Sequence, residues 1–395
     1  MNDETEYVSN AFGQIFGHDP AVTVRAPGRV NLLGEHVDYN EGWVLPCAID
    51  RAVWLAAAPN NRGLARIHAL DMQQQGQFAL ADFRPPRGHK TDQAWLNYPA
   101  GVAWAMQEAG HTLTGIDVVF TSTVPIGAGV SSSAAVEAAF ILAWEALSGL
   151  SLSTLDKARL GQRSENGFMG VQSGIMDQYA SLHGAENQLI LLDCRSLTHE
   201  LIPFPAGNSI VVADSGIRRQ LAHSEYNTRR QQCEQAVTLL QAYIPGLRAL
   251  RDLTLEEYQR YAHRLPAAVR RRARHVVEEC QRVLAGAEAL RQGDLTTFGQ
   301  AVNQSHISCR DLYEISILEL DVLAATAWEV PGCYGARLTG AGFGGCIIAI
   351  ANNTAVPALS QALTTAYRAE FGREPQLFTA QVAAGAAATS AIHKT

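Results

Sequence analysis

Apolar residues recur with two different periods along this 395-residue chain, and the periods mark out strands and helices. Short β-branched or continuously apolar runs at 21–24, 52–58, 117–124, 209–213 and 346–350 predict strands. Residues 95–109 predict an amphipathic helix, and residues 134–147, small and apolar on every side, predict a buried one. Helical patterns at 226–243 and 265–290 are rich in Arg and Glu, which predicts solvated outer faces. Because strands and helices mix without regular βα alternation, the predicted fold class is α+β and not a doubly wound sheet. A turn-rich patch at 203–207 precedes the strand at 209–213 and marks the expected boundary between two domains, 1–205 and 206–395. The alanine-rich tail, 383–391, is expected to fray.

Composition adds limits. A content of 47% hydrophobic residues can fill two cores, and a net charge of −7 gives no support to binding of nucleic acid or an anionic membrane. No uncharged apolar run reaches membrane-spanning length. Seven cysteines without metal-ligand spacing read as buried thiols in a reducing compartment, so a cytoplasmic protein is expected.

Candidate chemistry begins at Pro125-Ile126-Gly127-Ala128-Gly129-Val130-Ser131-Ser132-Ser133, between a predicted strand and the buried helix. Such a loop bares backbone N–H groups and aims them, with the positive end of the helix dipole, at an anion such as a nucleotide triphosphate. It lacks the Gly-Lys-Ser/Thr ending of a Walker A loop, and the chain has only Lys90, Lys157 and Lys394. Neutralising charge must then come from amides, hydroxyls, a metal ion or arginine. Glu137, one turn along the helix, is expected on an exposed face. Taken alone, the loop reads equally as a turn before a buried helix.

Two other segments bear on it. Arg29, Asn31, Glu35, His36, Asp38 and Tyr39 fall within the twelve residues 29–40. This is a density of donors and acceptors that suits a sugar, although a solvated loop with Asx turns would also account for it. Leu338-Thr339-Gly340-Ala341-Gly342-Phe343-Gly344-Gly345 precedes the apolar run at 346–350 and by itself reads as a tight turn with glycine packing.

Together and in this order, the three segments resemble those of the GHMP kinases, a family of small-molecule kinases. The stretch 28–39 (Gly-Arg-Val-Asn-Leu-Leu-Gly-Glu-His-Val-Asp-Tyr) is similar to the signature of the galactokinase branch. Segments at 165–168, 174–179, 192–197, 214–216 and 224–230 extend the resemblance to nearly the whole chain.

The resemblance implies a two-domain architecture with the active site in the cleft between the domains. It implies Asp177 and Arg29 as catalytic residues, with Asp177 beside the sugar hydroxyl that accepts the phosphoryl group. Sugar contacts would come from Arg29, Glu35, His36, Asp38, Gly174, Asp177 and Tyr226, and ATP contacts from Trp95 at the base and residues 127–133 at the phosphates. Mg²⁺ would sit between the phosphates, Ser133 and Glu165, with Ser132 the other candidate hydroxyl. Ser173 departs from the cysteine that many members carry there.

The implied reaction is transfer of the ATP γ-phosphoryl group to the anomeric hydroxyl of D-galactose by a cytoplasmic monomer that needs neither nucleic acid nor membrane. Alternatives are a kinase for L-arabinose or N-acetylgalactosamine, or a catalytically silent sugar sensor. The sensor fits less well, because Ser132, Ser133, Asp177 and Arg29 are all retained.

Overall fold

The computed structural model describes residues 3–81, 93–218 and 222–390. Thirteen strands are described: β1 (Val22–Asn31), β2 (Trp43–Val44), β3 (Pro46–Asn60), β4 (Leu64–Ala69), β5 (Gln74–Ala79), β6 (Gly115–Ser122), β7 (Gln188–Asp193), β8 (Thr198–Pro203), β9 (Asn208–Asp214), β10 (Cys333–Thr339), β11 (Cys346–Asn352), β12 (Gln376–Ala380) and β13 (Ala387–Ser390). They form a six-stranded sheet in the order β13-β1-β3-β6-β4-β5, a four-stranded sheet β10-β11-β9-β12 and a three-stranded sheet β2-β7-β8. All pairings are antiparallel except β4 with β6. The mixture is α+β, as the pattern predicts.

The helices that frame the site are α1 (Asp3–Phe16), α2 (Asn97–Glu108), α3 (Ser132–Leu147), α4 (Thr154–Arg163), α5 (Met176–His183), α6 (Ala222–Leu240), α7 (Leu255–Tyr261), α8 (Ala267–Arg291), α9 (Leu295–Ser308), α10 (Leu318–Trp328) and α11 (Val356–Phe371). One hydrophobic core runs through both halves, and a smaller cluster around Phe12 and Trp54 lies under α1.

Four expectations change. The strand predicted at 21–24 continues to Asn31, because α3 and α5 cover its second half and bury every residue from Ala26 onward. The polar stretch that also allowed a solvated loop is therefore interior: Arg29, Asn31, Glu35 and His36 are each at most 3% exposed. Glu137 is fully buried, since α3 is enclosed by β1, β3, α2, α4 and α5. Its Oε2 accepts a hydrogen bond from Gln178 Nε2 (3.0 Å), so the exposed face expected for it does not exist.

The tail does not fray within the described residues. Ala387–Ser390 pairs with the outer edge of β1, from Arg25 opposite Ala387 to Val22 opposite Ser390, and Ala391 lies outside the described residues. Backbone pairing to an open edge needs no large side chain, which is why an alanine-rich sequence suffices. Finally, α8 is not simply solvated on its charged side: Arg272, His275 and Glu279 are buried against α6, α9 and the residue 34–36 loop.

Candidate active site

β1 delivers Arg29 to the floor of a cleft, where the guanidinium forks onto Asp177 at the start of α5. Nε reaches Oδ1 and Nη2 reaches Oδ2, both at 2.7 Å, and Nη1 donates to the carbonyl of Gly129 at 2.7 Å. Burial works against the Arg29 charge, but the Asp177 and Glu35 carboxylates outweigh it and hold its pKa above the ordinary value. The bidentate geometry fixes the orientation of the Asp177 carboxylate. Ser131, in the left-handed region at φ 59°, donates its hydroxyl to Asp177 Oδ2 at 2.5 Å. Asp177 thus joins the phosphate loop to the neighbouring cavity.

That cavity, of about 180 Å³, is lined by Arg29, Glu35, His36, Asp38, Glu165, Gly174, Asp177 and Tyr226, together with Gly340 and Ala341 of the third glycine segment. All seven residues expected to touch a sugar meet here, from distant parts of the sequence. Glu35 Oε2 accepts from Arg337 Nη2 (2.7 Å) and from Gly340 N (3.2 Å). Burial, only partly offset by Arg337 and Arg29, pushes the Glu35 carboxyl up to about 7. Asp38 rises to about 6, through burial and then the nearby Asp177 charge. Gly174 is needed beside it, because a Cβ there would collide with the Asp38 carboxylate.

His36 Nε2 faces the carbonyl of Ala341 (3.1 Å), so it carries the proton. In the neutral ring Nδ1 then accepts from Tyr39 Oη (2.7 Å), whose oxygen is in turn 2.8 Å from Tyr313 Oη. The Tyr226 ring packs on His36 at a centroid distance of 4.9 Å.

On the other side of Asp177 the glycine loop alternates left-handed positions at Gly127, Gly129 and Ser131 before α3 begins at Ser132. Ala128 and Val130 turn their side chains into the core, leaving only backbone for a ligand. Trp95 lines a small apolar slot of about 90 Å³ with Met72, Tyr98, Phe120, Ile126 and Ser133. Ser133 Oγ donates to Glu165 Oε1 (3.1 Å), and Ser173 Oγ donates to Glu165 Oε2 (2.5 Å). Burial and then Asp177 push the Glu165 carboxyl up, against those hydroxyls and Gln178.

Among the described residues there is no group of three or more His, Cys, Asp and Glu able to hold a metal. A hydroxyl and one carboxylate, both hard oxygen donors, nevertheless suit an ion that takes most of its shell from phosphate and water.

Family models place a galactokinase galactose-binding signature at residues 10–59, a GHMP kinase N-terminal domain at 97–185 and a GHMP kinase C-terminal domain at 287–369. A galactokinase from Roseiflexus sp. is 44% identical over 97% of this chain and 96% of its own length. One from Streptococcus mutans is 42% identical over 96% of this chain and 97% of its own. The chain belongs to the galactokinase family. The crystal structure of Lactococcus lactis galactokinase complexed with galactose matches with a TM-score of 0.91 at 32% identity, covering 96% of this chain and 98% of that one. Methanococcus jannaschii mevalonate kinase, at 17% identity and a TM-score of 0.65, shares the fold.

As a member of the galactokinase family the protein is an ATP-dependent sugar kinase. Beside its site, the sequence reading missed Arg218 and one contact of Ser131. Ser131 was placed with the phosphate contacts, yet its hydroxyl serves Asp177. Arg218, paired with the buried Asp214 through two 2.7 Å bonds, lies against Gly127, where a Cβ would come 2.9 Å from its Cδ. The i, i+4 spacing of Asp214 and Arg218 was the available sign, since it lets one buried carboxylate aim a guanidinium.

Proposed function

We propose that this chain transfers the γ-phosphoryl group of ATP to the anomeric hydroxyl of D-galactose, giving galactose 1-phosphate and ADP. The observation that carries the reading is the double engagement of Asp177, held by Arg29 from the sugar cavity and by Ser131 from the phosphate loop. A carboxylate at that joint lies within reach of both a sugar hydroxyl and a phosphoryl donor bound in the loop. With three hydrogen bonds already on it, Asp177 orients the hydroxyl and accepts its proton late, as a loose phosphoryl-transfer transition state requires. Arg29 holds the Asp177 carboxylate in place and offsets charge on the transferring group.

Glu35, His36, Asp38, Gly174 and Tyr226 complete the sugar contacts in this reading. Loop amides from Gly127 to Ser133 cradle the phosphates, the Trp95 slot takes the base, and Arg218 supplies a cation beside Gly127. Ser133 and Glu165 would hold Mg²⁺, which neutralises the β- and γ-phosphates when bound. The two halves are proposed as domains 1–205 and 206–395, with the last strand returned to the first sheet. No helix among the described residues is long and apolar enough to cross a membrane; a cytoplasmic monomer is part of the proposal.

The test is a kinase assay over a panel of sugars. Galactose is expected to exceed glucose in kcat/KM by at least about 100-fold, because the wrong 4-hydroxyl leaves a buried carboxylate without its partner. Equal efficiency for the two, or a clear preference for L-arabinose or N-acetylgalactosamine, overturns the substrate assignment.

A further inference from the structure

The sugar loop is held from behind by a carboxylate from the other half of the chain. Gly34 (φ +94°) and His36 (φ +58°) are both left-handed, and a Cβ at Gly34 would come 2.6 Å from the carbonyl of Trp43. Such a backbone persists only where its surroundings over-determine it. Glu279, on α8 and wholly buried, provides that determination. Its Oε1 accepts the backbone N–H groups of Gly34 (2.9 Å) and Glu35 (3.2 Å) and the hydroxyl of Ser305 (2.5 Å), while Arg282 donates to Oε2. His275, one turn earlier on α8, faces the Glu35 carbonyl with Nε2 at 3.0 Å and Ser308 Oγ with Nδ1 at 2.9 Å. Backbone and side chain of Glu35 are thereby anchored separately, the backbone by α8 and the carboxylate by Arg337 and Gly340.

We propose that Glu279 is a positioning residue for sugar recognition, setting the 34–36 backbone so that Glu35 and His36 face the cavity; this rests on the reading that the cavity takes the sugar. Each of the four hydrogen-bond partners of Glu279 is a donor, so only an ionised carboxylate satisfies them all. Arg282, His275 and Arg337 hold its pKa down to about 2 against burial. A glutamine of the same shape must turn its NH₂ toward another donor and leave it unpaired.

Glu279→Gln is expected to raise the KM for sugar about tenfold, with the KM for ATP within about twofold and kcat little changed. Ser305→Ala, which removes one donor from the same oxygen, is expected to raise the sugar KM about threefold and keeps the test alive if the glutamine variant does not fold. Asp38→Asn, measured alongside, reports on the cavity itself. If it raises the sugar KM while Glu279→Gln and Ser305→Ala leave it alone, the positioning role is overturned. If all three leave it alone, the sugar-cavity reading fails first. A parallel loss of kcat and of both KM values in Glu279→Gln, with a lowered Tm, makes Glu279 merely structural and also overturns the proposal.

Discussion

Arg29, Glu35 and His36 in the proposed sugar cavity are only 2–3% exposed and hydrogen-bonded to residues from both halves of the chain, whereas on the other side of Asp177 the proposed phosphate loop leaves Gly127 exposed and Ile126 58% exposed. The first site is built from charged side chains locked in place, the second from glycine backbone and an apolar slot. Rejecting a wrong sugar requires fixed, desolvated partners whose loss is felt at once. Holding a polyphosphate requires amides that approach closely and a cation, and much of that charge arrives with the ligand. The two regions share Asp177, where their difference is most easily tested.

The largest effect is expected there. Asp177→Ala should lower kcat by about 10²–10⁴ while leaving nucleotide affinity nearly unchanged. It removes the acceptor for Arg29 and Ser131, and the Arg29 guanidinium retains its bond to the Gly129 carbonyl. Single-turnover rates beside equilibrium ATP binding check this, and wild-type turnover removes Asp177 from the chemistry.

Two glutamates on the nucleotide side sharpen the comparison at intermediate size. Glu165→Ala should raise the Mg²⁺ concentration for half-maximal activity and lower turnover, and it should weaken Mg²⁺-dependent nucleotide binding measured calorimetrically without sugar. Glu137 behaves differently. Burial and the nearby Glu165 push its carboxyl well above the ordinary range. Glu137→Gln should leave the Mg²⁺ titration curve unchanged, whereas Glu137→Ala, by stranding Gln178, should cost about 1–3 kcal/mol in chemical denaturation. Identical Mg²⁺ curves for Glu165→Ala and wild type end the metal assignment.

The same contrast governs what was readable in the sequence. Glycine spacing and the polar cluster at 29–40 stand out locally, the resemblance adds Gly174, Asp177 and Tyr226, and all seven residues expected to touch a sugar line one cavity. Burial was the harder property. Glu137 sits in a helix whose apolar pattern predicts burial, yet its charge suggested an exposed face, and the charged residues of α8 sit in a helix whose pattern predicts solvated faces; only the packing of α3 and α8 among their neighbours shows these residues buried. Pairing of the tail with β1 was equally hidden, because strand partners more than 350 residues apart leave no local pattern. Glu279 lies 244 residues from Glu35 and carries no motif that ties it to the sugar loop.

The smallest effect concerns pH. Burial, then Asp177, raises Asp38 to about 6, so in the free protein its carboxyl gains a proton near that pH, above the range of an exposed aspartate. The folded state then binds more protons than the unfolded one between about pH 4 and 6, and this group's contribution to stability falls as pH rises through that window. Sugar affinity runs the other way, because a hydroxyl donating to Asp38 requires the ionised form. Galactose binding measured without nucleotide, which avoids titration of the phosphates, should therefore weaken as pH falls through 6, by about tenfold one unit below it. Asp38→Asn should bind more weakly at neutral pH and lose most of this slope. Glu35, pushed up to about 7, contributes a dependence in the same direction that sets in at higher pH, which Glu35→Gln isolates. Galactose affinity that is flat from pH 7.5 to 5 in the wild type would mean that neither carboxylate needs its charge to hold the sugar, and the closed region would then owe its selectivity to shape alone.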